Sequence, residues 1–496
     1  MKVVIPKELL DKANLIGGVW SNAESGKTFE VQSPVTGEVI AKVPLCDTAD
    51  VEKAVQAARR VRDEFKDTPV LRRVELCNRI KQLVLERKEI IAKVMTLEQG
   101  KPCEGESIPD LDETALLFTD FAEDIVRLEM DTYPLKDPNK MAFSVREAIG
   151  VTAVITPWNY PVLIPAEYIA PALVVGNPIV FKPASYTPLS AILFARCIQD
   201  ALDELGFPKG IFNLITGPGG SVGNHLVGHP HVDCIAFTGE TVTGQAICSR
   251  AGLKRTLMEL GGNGPQIVCD DADLAKAAAA AAFGCYTNAG QVCCATERIL
   301  VDARVHDKFV KLMLEETEKW KVGDPFDKKT NVGPLNNEPT AAKTETHLDD
   351  AVKKGARILV GGKRESGRPT GLYFQPTVID GVTPSMLLNK EETFGPVAPI
   401  ISFESDEEAV QIANGSGYGL QMAVFTSSIK KCFFYSKKLR TGTIVVNDTT
   451  DYWEDLYVPF GGGGGTKSGH GRIATHFTME DLTYIKTTTI DFANAK

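Results

Sequence analysis

The sequence predicts an α/β protein built from two strand-and-helix blocks and a small accessory sheet. From residue 151 onward, short β-branched or apolar runs alternate with helix or turn-and-helix signals, and a second alternating block begins near Pro265. Two further segments of β character, 130–145 and the tail TYIKTTTIDFA, lie outside both blocks. The 496 residues leave room for about two to four domains of ordinary size. With 43% hydrophobic and 24% charged residues, the composition is that of a folded chain and excludes a disordered or fibrous one.

In chain order, residues 51–98 place Val51, Val55 and Ala58, then Leu76, Ile80 and Val84, at helical spacing, which predicts a helical lead-in. VTAVIT, PIVFKP, IFNLIT, VDCIAFT and RTLMEL then read as five strands, each interval between them as a helix or turn. Such alternation predicts a parallel sheet covered on both faces, with ligands at the carboxyl ends of its strands. IVCDDADLAKAAAAAA, TERILV, RILVGG and GTIVVN, with helical segments such as 305–321 between them, predict the second α/β unit. MDTYPLKDPNKMAFSV holds two extended runs around a Pro-Asn turn. Together with the tail it forms either strands that pair with another subunit or packed edge strands. Gly461 to Gly465 demand a backbone that moves or that packs closely on something.

Charge and cysteine usage narrow the partners. Lys+Arg 54 against Asp+Glu 64 gives a net charge of −10 with no long basic run, which argues against nucleic acid and anionic membranes. The eleven cysteines show no paired CxxC spacing, so reduced thiols are expected. No leader-like start and no window of 18 apolar residues is present, so the expectation is a cytoplasmic chain with no membrane span.

Four segments hold polar residues that packing alone explains poorly. In TPWNYP, Asn159 follows a strand end, where its uncharged N–H groups suit an oxyanion; a turn or helix cap is the alternative. In MELGGNGP, Glu259 ends a buried strand, where desolvation favours a general base, or else an ion pair with a buried Lys or Arg. In YTNAGQVCC, Cys293 is either a nucleophile near backbone amides or a buried inert thiol, and Cys294 stands next to it. FKPASYTP and FTGETVTG each join a strand to a helix start, so Lys182 and the helix opened by Gly239 and Gly244 suit ribose and phosphate. GPGGSVG at 217–223 is weak evidence for the same. His229, His231 and Cys234 straddle a proline turn, and no metal is expected there.

Taken in order, TPWNYP, FKPASYTP, FTGETVTG, MELGGNGP, NAGQVCC, EETFGPV and PFGG resemble the NAD(P)-dependent aldehyde dehydrogenase superfamily. The specific feature is a cysteine 34 residues after the MELGG glutamate (293 − 259). The resemblance implies a cofactor-binding domain from 1–129 and 147–258, a catalytic domain from 259–472 and an oligomerisation domain from 130–146 and 473–496, assembled as a homodimer or homotetramer. It places the nucleophile on Cys293, the general base on Glu259, and the oxyanion donors on Asn159 and the Cys293 backbone N–H. For NAD or NADP it implies Thr156, Pro157, Trp158, Lys182, Ser185, Gly239, Glu240, Gly244, Leu260, Gly261, Glu392 and Phe394. For the substrate tunnel it implies Tyr160, Leu163, Glu167, Val292, Trp453, Tyr457 and Phe460, although core packing explains any one of the last three aromatics.

The departures from the family pattern are informative. Ser185 stands where many NAD-preferring members hold the adenosine ribose with a glutamate, which permits NADP. Glu167 and Tyr168 replace an aromatic or arginine followed by lysine, so the expected substrate is a neutral or cationic aldehyde. The glycine run is longer than usual, and GRI replaces GRE. Cys294 is either a reversible sulfur partner of Cys293 or a bystander. Rival readings are a CoA-acylating enzyme, an ester-cleaving thiol hydrolase and a catalytically silent structural homologue.

Overall fold

The five apolar runs between residues 151 and 260 become adjacent parallel strands. Thr152–Ile155 is central, flanked by Ile179–Lys182 and Cys234–Gly239, with Phe212–Leu214 and Arg255–Leu260 next outward. The molecule is described by a computed structural model covering residues 12–451 and 458–493. The two central flankers and Thr152–Ile155 are buried nearly throughout, the reason these strands read as continuous apolar runs. Antiparallel edges complete an eight-stranded sheet: Asn14–Ile16 and Val19–Ser21 on one side, Gly469–His470 on the other. Arg255–Leu260 crosses the expected boundary at 258/259, so Glu259 belongs to the first sheet while facing the second unit.

The helical lead-in is three helices, Thr48–Lys66, Val70–Glu86 and Lys88–Gln99. Asp47 caps the first through the Ala49 N–H, and the Asp50 carboxylate accepts from the Asp47 N–H. Helix Ile108–Asp124 packs against Leu163–Val175, a helix buried on every side.

The second sheet has seven strands, in the order Arg357–Val360, Thr377–Asp380, Val397–Phe403, Thr296–Asp302, Gly264–Val268, Gln421–Phe425 and Thr443–Val446. All pairings are parallel except that of Arg357–Val360, the RILVGG run, which is an exposed antiparallel edge. The accessory sheet forms as expected: Lys140–Ala148 pairs with Thr483–Asp491 on one side and Thr132–Tyr133 on the other. The glycine run resolves toward close packing. A Cβ on Gly461 would lie 2.6 Å from the Gly471 carbonyl, and one on Gly463 would lie 2.8 Å from the Thr441 backbone.

Candidate active site

Residues Thr156 to Asn159 follow the central strand, Gly239 ends its neighbour and Leu260 ends the next, so the carboxyl ends of the first sheet face the second unit. Across from them, helix Leu274–Tyr286 gives way to a tight turn in which Asn288 (φ 49°) and Ala289 (φ 56°) are left-handed. The Asn288 amide holds this turn in place. It donates to the carbonyls of Asn159 (3.2 Å) and Gln291 (3.3 Å) and accepts from Gln99 (2.9 Å). The Asn159 side chain donates one N–H to the Gln291 carbonyl at 3.0 Å, and its Oδ1 is buried without a partner. An amide carries a second N–H, so Asn159 keeps a donor to offer. It caps no helix, because the following helix starts after Val162 without a side-chain cap.

Close backbone approach fixes the Cys293 loop against the MELGG turn: a Cβ on Gly262 would lie 2.0 Å from the Cys293 carbonyl. Cys293 lies on the walls of two cavities. The first, of about 480 Å³, also carries Glu259, Tyr160, Leu163, Glu167 and Val292. The second, of about 310 Å³, carries Asn159, Pro157, Trp158, Gly239, Glu240, Leu260, Gly261, Glu392 and Phe394.

Glu259 has no salt bridge among the described residues; its Oε1 is buried without a hydrogen-bond partner. Burial pushes its carboxyl up to about 7, while the nearby Cys293 thiol and Thr238 hydroxyl favour the charged form. The Cys293 thiol is pushed well above its ordinary range, first by a hydrogen bond with the Cys294 thiol, then by burial and the Glu259 charge. Glu392 rises to about 8 through burial, with Glu297 adding repulsion, while its Oε1 accepts from the Gly262 N–H at 2.8 Å. Glu297 accepts from the N–H groups of Thr393 (2.9 Å) and Phe394 (2.7 Å). It thereby holds Phe394 at φ 61° with its ring edge-to-face on Trp158, 5.5 Å between centroids.

Some expected residues are elsewhere. Thr156, Lys182, Ser185 and Gly244 do not line the second cavity. The Lys182 ammonium donates to the carbonyls of Pro183 (2.8 Å) and Gly217 (3.1 Å), Ser185 donates to Gly217 at 3.1 Å, and Gly244 packs against Leu260. Phe460 is not on the first cavity's wall either: it is buried with Val292, Cys294, Ala295 and Leu420 as part of the core under the loop. Trp453 and Tyr457 lie outside the described residues. His229 is tied to Glu52 at 2.9 Å, and among the described residues no group of three His, Cys, Asp or Glu side chains could hold a metal.

The sequence reading missed Thr340 and Lys343 on the second cavity and Asn288 and Gln291 around the loop. It also missed Glu106, Asp110, Glu113, Asp448 and Asp451 on the first cavity. The NAGQ preceding the cysteine was a usable signal for Asn288 and Gln291. Glu106, Asp110 and Glu113 recur at helical spacing, which by itself reads as a solvated face.

The second cavity suits a dinucleotide. It sits at the strand ends, has aromatic rings and the Glu392 carboxyl on its wall, and is bordered by helix Thr241–Ala251, whose first amides no side chain caps. Two cavities meeting at one cysteine, one of them at the strand ends of the first sheet, fit a nicotinamide-linked oxidoreductase. The sequence matches the aldehyde dehydrogenase family over residues 20–488, and the chain belongs to that family.

It is 37% identical to the 3-sulfolactaldehyde dehydrogenase of Pseudomonas putida over 96% of each chain. It is 36% identical to the NADP-linked succinate-semialdehyde dehydrogenase of Escherichia coli, over 95% of this chain and 96% of that one. The crystal structure of Staphylococcus aureus betaine aldehyde dehydrogenase with NAD+ superposes with a TM-score of 0.93 at 36% identity, covering 98% of this chain and 96% of that one. The protein is thus an aldehyde-oxidising oxidoreductase that uses NAD or NADP. Among the described residues no helix is long and apolar enough to cross a membrane.

Proposed function

We propose that Cys293, Glu259 and Asn159 convert an aldehyde to its carboxylic acid through a thioester hydrolysed by water. The observation that carries this reading is the position of Cys293 on both cavity walls, with Glu259 on one side and Asn159 on the other. The Cys293 thiol passes its proton to Glu259 and its sulfur adds to the aldehyde carbon. The resulting alkoxide is stabilised by the free N–H of Asn159 and the Cys293 backbone N–H. Bound NAD or NADP supplies the hydride acceptor. Loss of hydride from that carbon leaves a thioester on Cys293. Glu259, having released its proton to solvent, then takes one from water as the hydroxide adds to the thioester, and the acid departs with the thiol restored.

Glu392, Phe394, Trp158 and the open amides after Glu240 hold the cofactor's nicotinamide side and phosphates. Lys182 and Ser185 serve its adenosine ribose once Lys182 turns from its carbonyls, and the missing carboxylate at Ser185 leaves a 2′-phosphate unrepelled. The accessory sheet mediates a homodimer or homotetramer in the cytoplasm, a reading supported by exposed Met141, Tyr133, Tyr484, Ile485 and Phe492 on or beside it. Light scattering on the purified chain tests this, and a monomer contradicts it.

Absorbance at 340 nm with an aldehyde panel, NAD and NADP, with and without CoA, tests the reaction. Free acid formed without CoA supports hydrolysis, and a strict CoA requirement contradicts it. Asn159→Ala should fold and lose about 10²–10³ in turnover, the usual effect of one oxyanion donor. A variant within tenfold of wild type removes Asn159 from the oxyanion role.

A further inference from the structure

The cavity that presents Glu259 carries more acid than water activation requires. Glu106, Asp110, Glu113, Glu167, Asp448 and Asp451 share its wall, contributed by separate parts of the chain. Among the described residues two basic groups stand near this wall. Lys276 is exposed at the wall, and buried Lys101 is committed to Asp110 Oδ2 at 3.0 Å and to the Tyr160 ring face, 3.6 Å from its centroid.

Glu167 is the informative member. It is 2% exposed on a helix buried all round, and among the described residues its carboxyl makes no hydrogen bond and no ion pair. The charged groups that act on it are Glu259, Asp110 and Glu113, all acidic, and burial with this repulsion pushes it well above the carboxylate range. Asp110 Oδ1 and Glu106 Oε2 are likewise buried acceptors without partners. Asp110 is otherwise paired with Lys101, and Glu106 Oε1 accepts from the Asn288 N–H at 3.0 Å, so each of these two keeps one oxygen to offer, whereas Glu167 has neither oxygen engaged among the described residues; a buried unpaired carboxyl costs stability. An ammonium group entering the cavity would offset the cost at Glu167, favouring its charged form and supplying N–H donors.

We propose that this cavity selects aldehydes carrying a protonated primary or secondary amine, whose N–H groups satisfy Glu167, Asp110 and Glu106 while the carbonyl carbon reaches Cys293. The proposal rests on the reaction assigned above. A quaternary ammonium has no N–H to give these acceptors. An anionic aldehyde meets repulsion.

The test is kcat/KM for ω-aminoalkanals, n-alkanals of equal heavy-atom count, ω-carboxylate aldehydes and a trimethylammonio aldehyde, in wild type, Glu167→Gln and Glu113→Gln. Calorimetric binding of n-butylammonium to wild type runs in parallel. The wild type should favour the aminoalkanal over the n-alkanal by about 10–100-fold, the size of one charge-assisted hydrogen bond. Glu167→Gln should reduce that ratio tenfold or more, and because a ratio is read, general damage cancels. Glu113→Gln should reduce it in the same direction and keeps the test alive where Glu167→Gln does not fold.

No preference for the amine in wild type, a ratio unmoved in a folded variant, or preference for the trimethylammonio aldehyde overturns the proposal. Oxidation of n-alkanals without amine preference overturns it while leaving the reaction assignment standing. No oxidation of any aldehyde overturns the reaction assignment, and the n-butylammonium titration then decides the cavity: saturable binding upholds its cation selectivity, and none removes it.

Discussion

Cys293→Ala should abolish aldehyde oxidation, with turnover falling on the order of 10⁴-fold or more, because the thioester route has no other sulfur on both cavity walls. Cofactor affinity should persist, since Cys293 contributes little to the Trp158 and Phe394 side of the second cavity. The check is NAD(P)H formation at 340 nm beside cofactor binding by fluorescence. Cys294 is adjacent in sequence yet buried, with its thiol directed to Asp451 at 3.5 Å, so it cannot substitute. Its hydrogen bond is the largest influence holding the Cys293 thiol protonated. Cys294→Ala should therefore stay active and shift the rate of Cys293 alkylation to lower pH, since removing a group that raises a pKa lowers it. An unmoved or upward-shifted profile contradicts that coupling.

Glu259→Gln should stall the enzyme after the first half-reaction. Removing a general base costs about 10²–10⁴ in the step it serves, so steady-state turnover falls by that factor. A solvent base can still accept the thiol proton, so rapid mixing should show a burst of NAD(P)H approaching one per active site, then near silence. The pH dependence follows from the direction of the Glu259 shift. Burial raises its carboxyl to about 7, and the charged form is the active one. Wild-type hydrolysis should fall about tenfold per pH unit below that value and level off above it. The acid limb belongs to Glu259 and should vanish in the glutamine variant. Stopped-flow absorbance across pH checks both, and a variant that turns over steadily without a burst contradicts the assignment.

The parts of this architecture visible in sequence were those in which burial on both faces writes itself as a continuous apolar run. Thr152–Ile155, Ile179–Lys182 and Cys234–Gly239 are of that kind. The short edge strands Asn14–Ile16, Val19–Ser21 and Gly469–His470 were not legible, because two or three residues carry no period. Asn159 and Glu259 were legible as polar residues at the ends of buried strands, but their competing structural readings needed geometry to weigh. Among the described residues Asn159 caps no helix and Glu259 has no cationic partner. Asp110 and Glu113 belong to no motif in the sequence; the packing of Ile108–Asp124 on Leu163–Val175 brings them to the first cavity. An aromatic residue near the site does not announce whether it faces a cavity or a core, and Phe460 faces the core.

The central claim is that a thioester forms on Cys293 and is cleared by water through Glu259. The most direct measurement is the intact mass of Glu259→Gln after mixing with an aldehyde it oxidises and NAD or NADP, followed by peptide mapping. The mechanism predicts one acyl group per chain on Cys293, absent without cofactor and absent from the Cys293→Ala, Glu259→Gln double variant. An unmodified chain after a full burst, or an acyl group mapped to another residue, would contradict it.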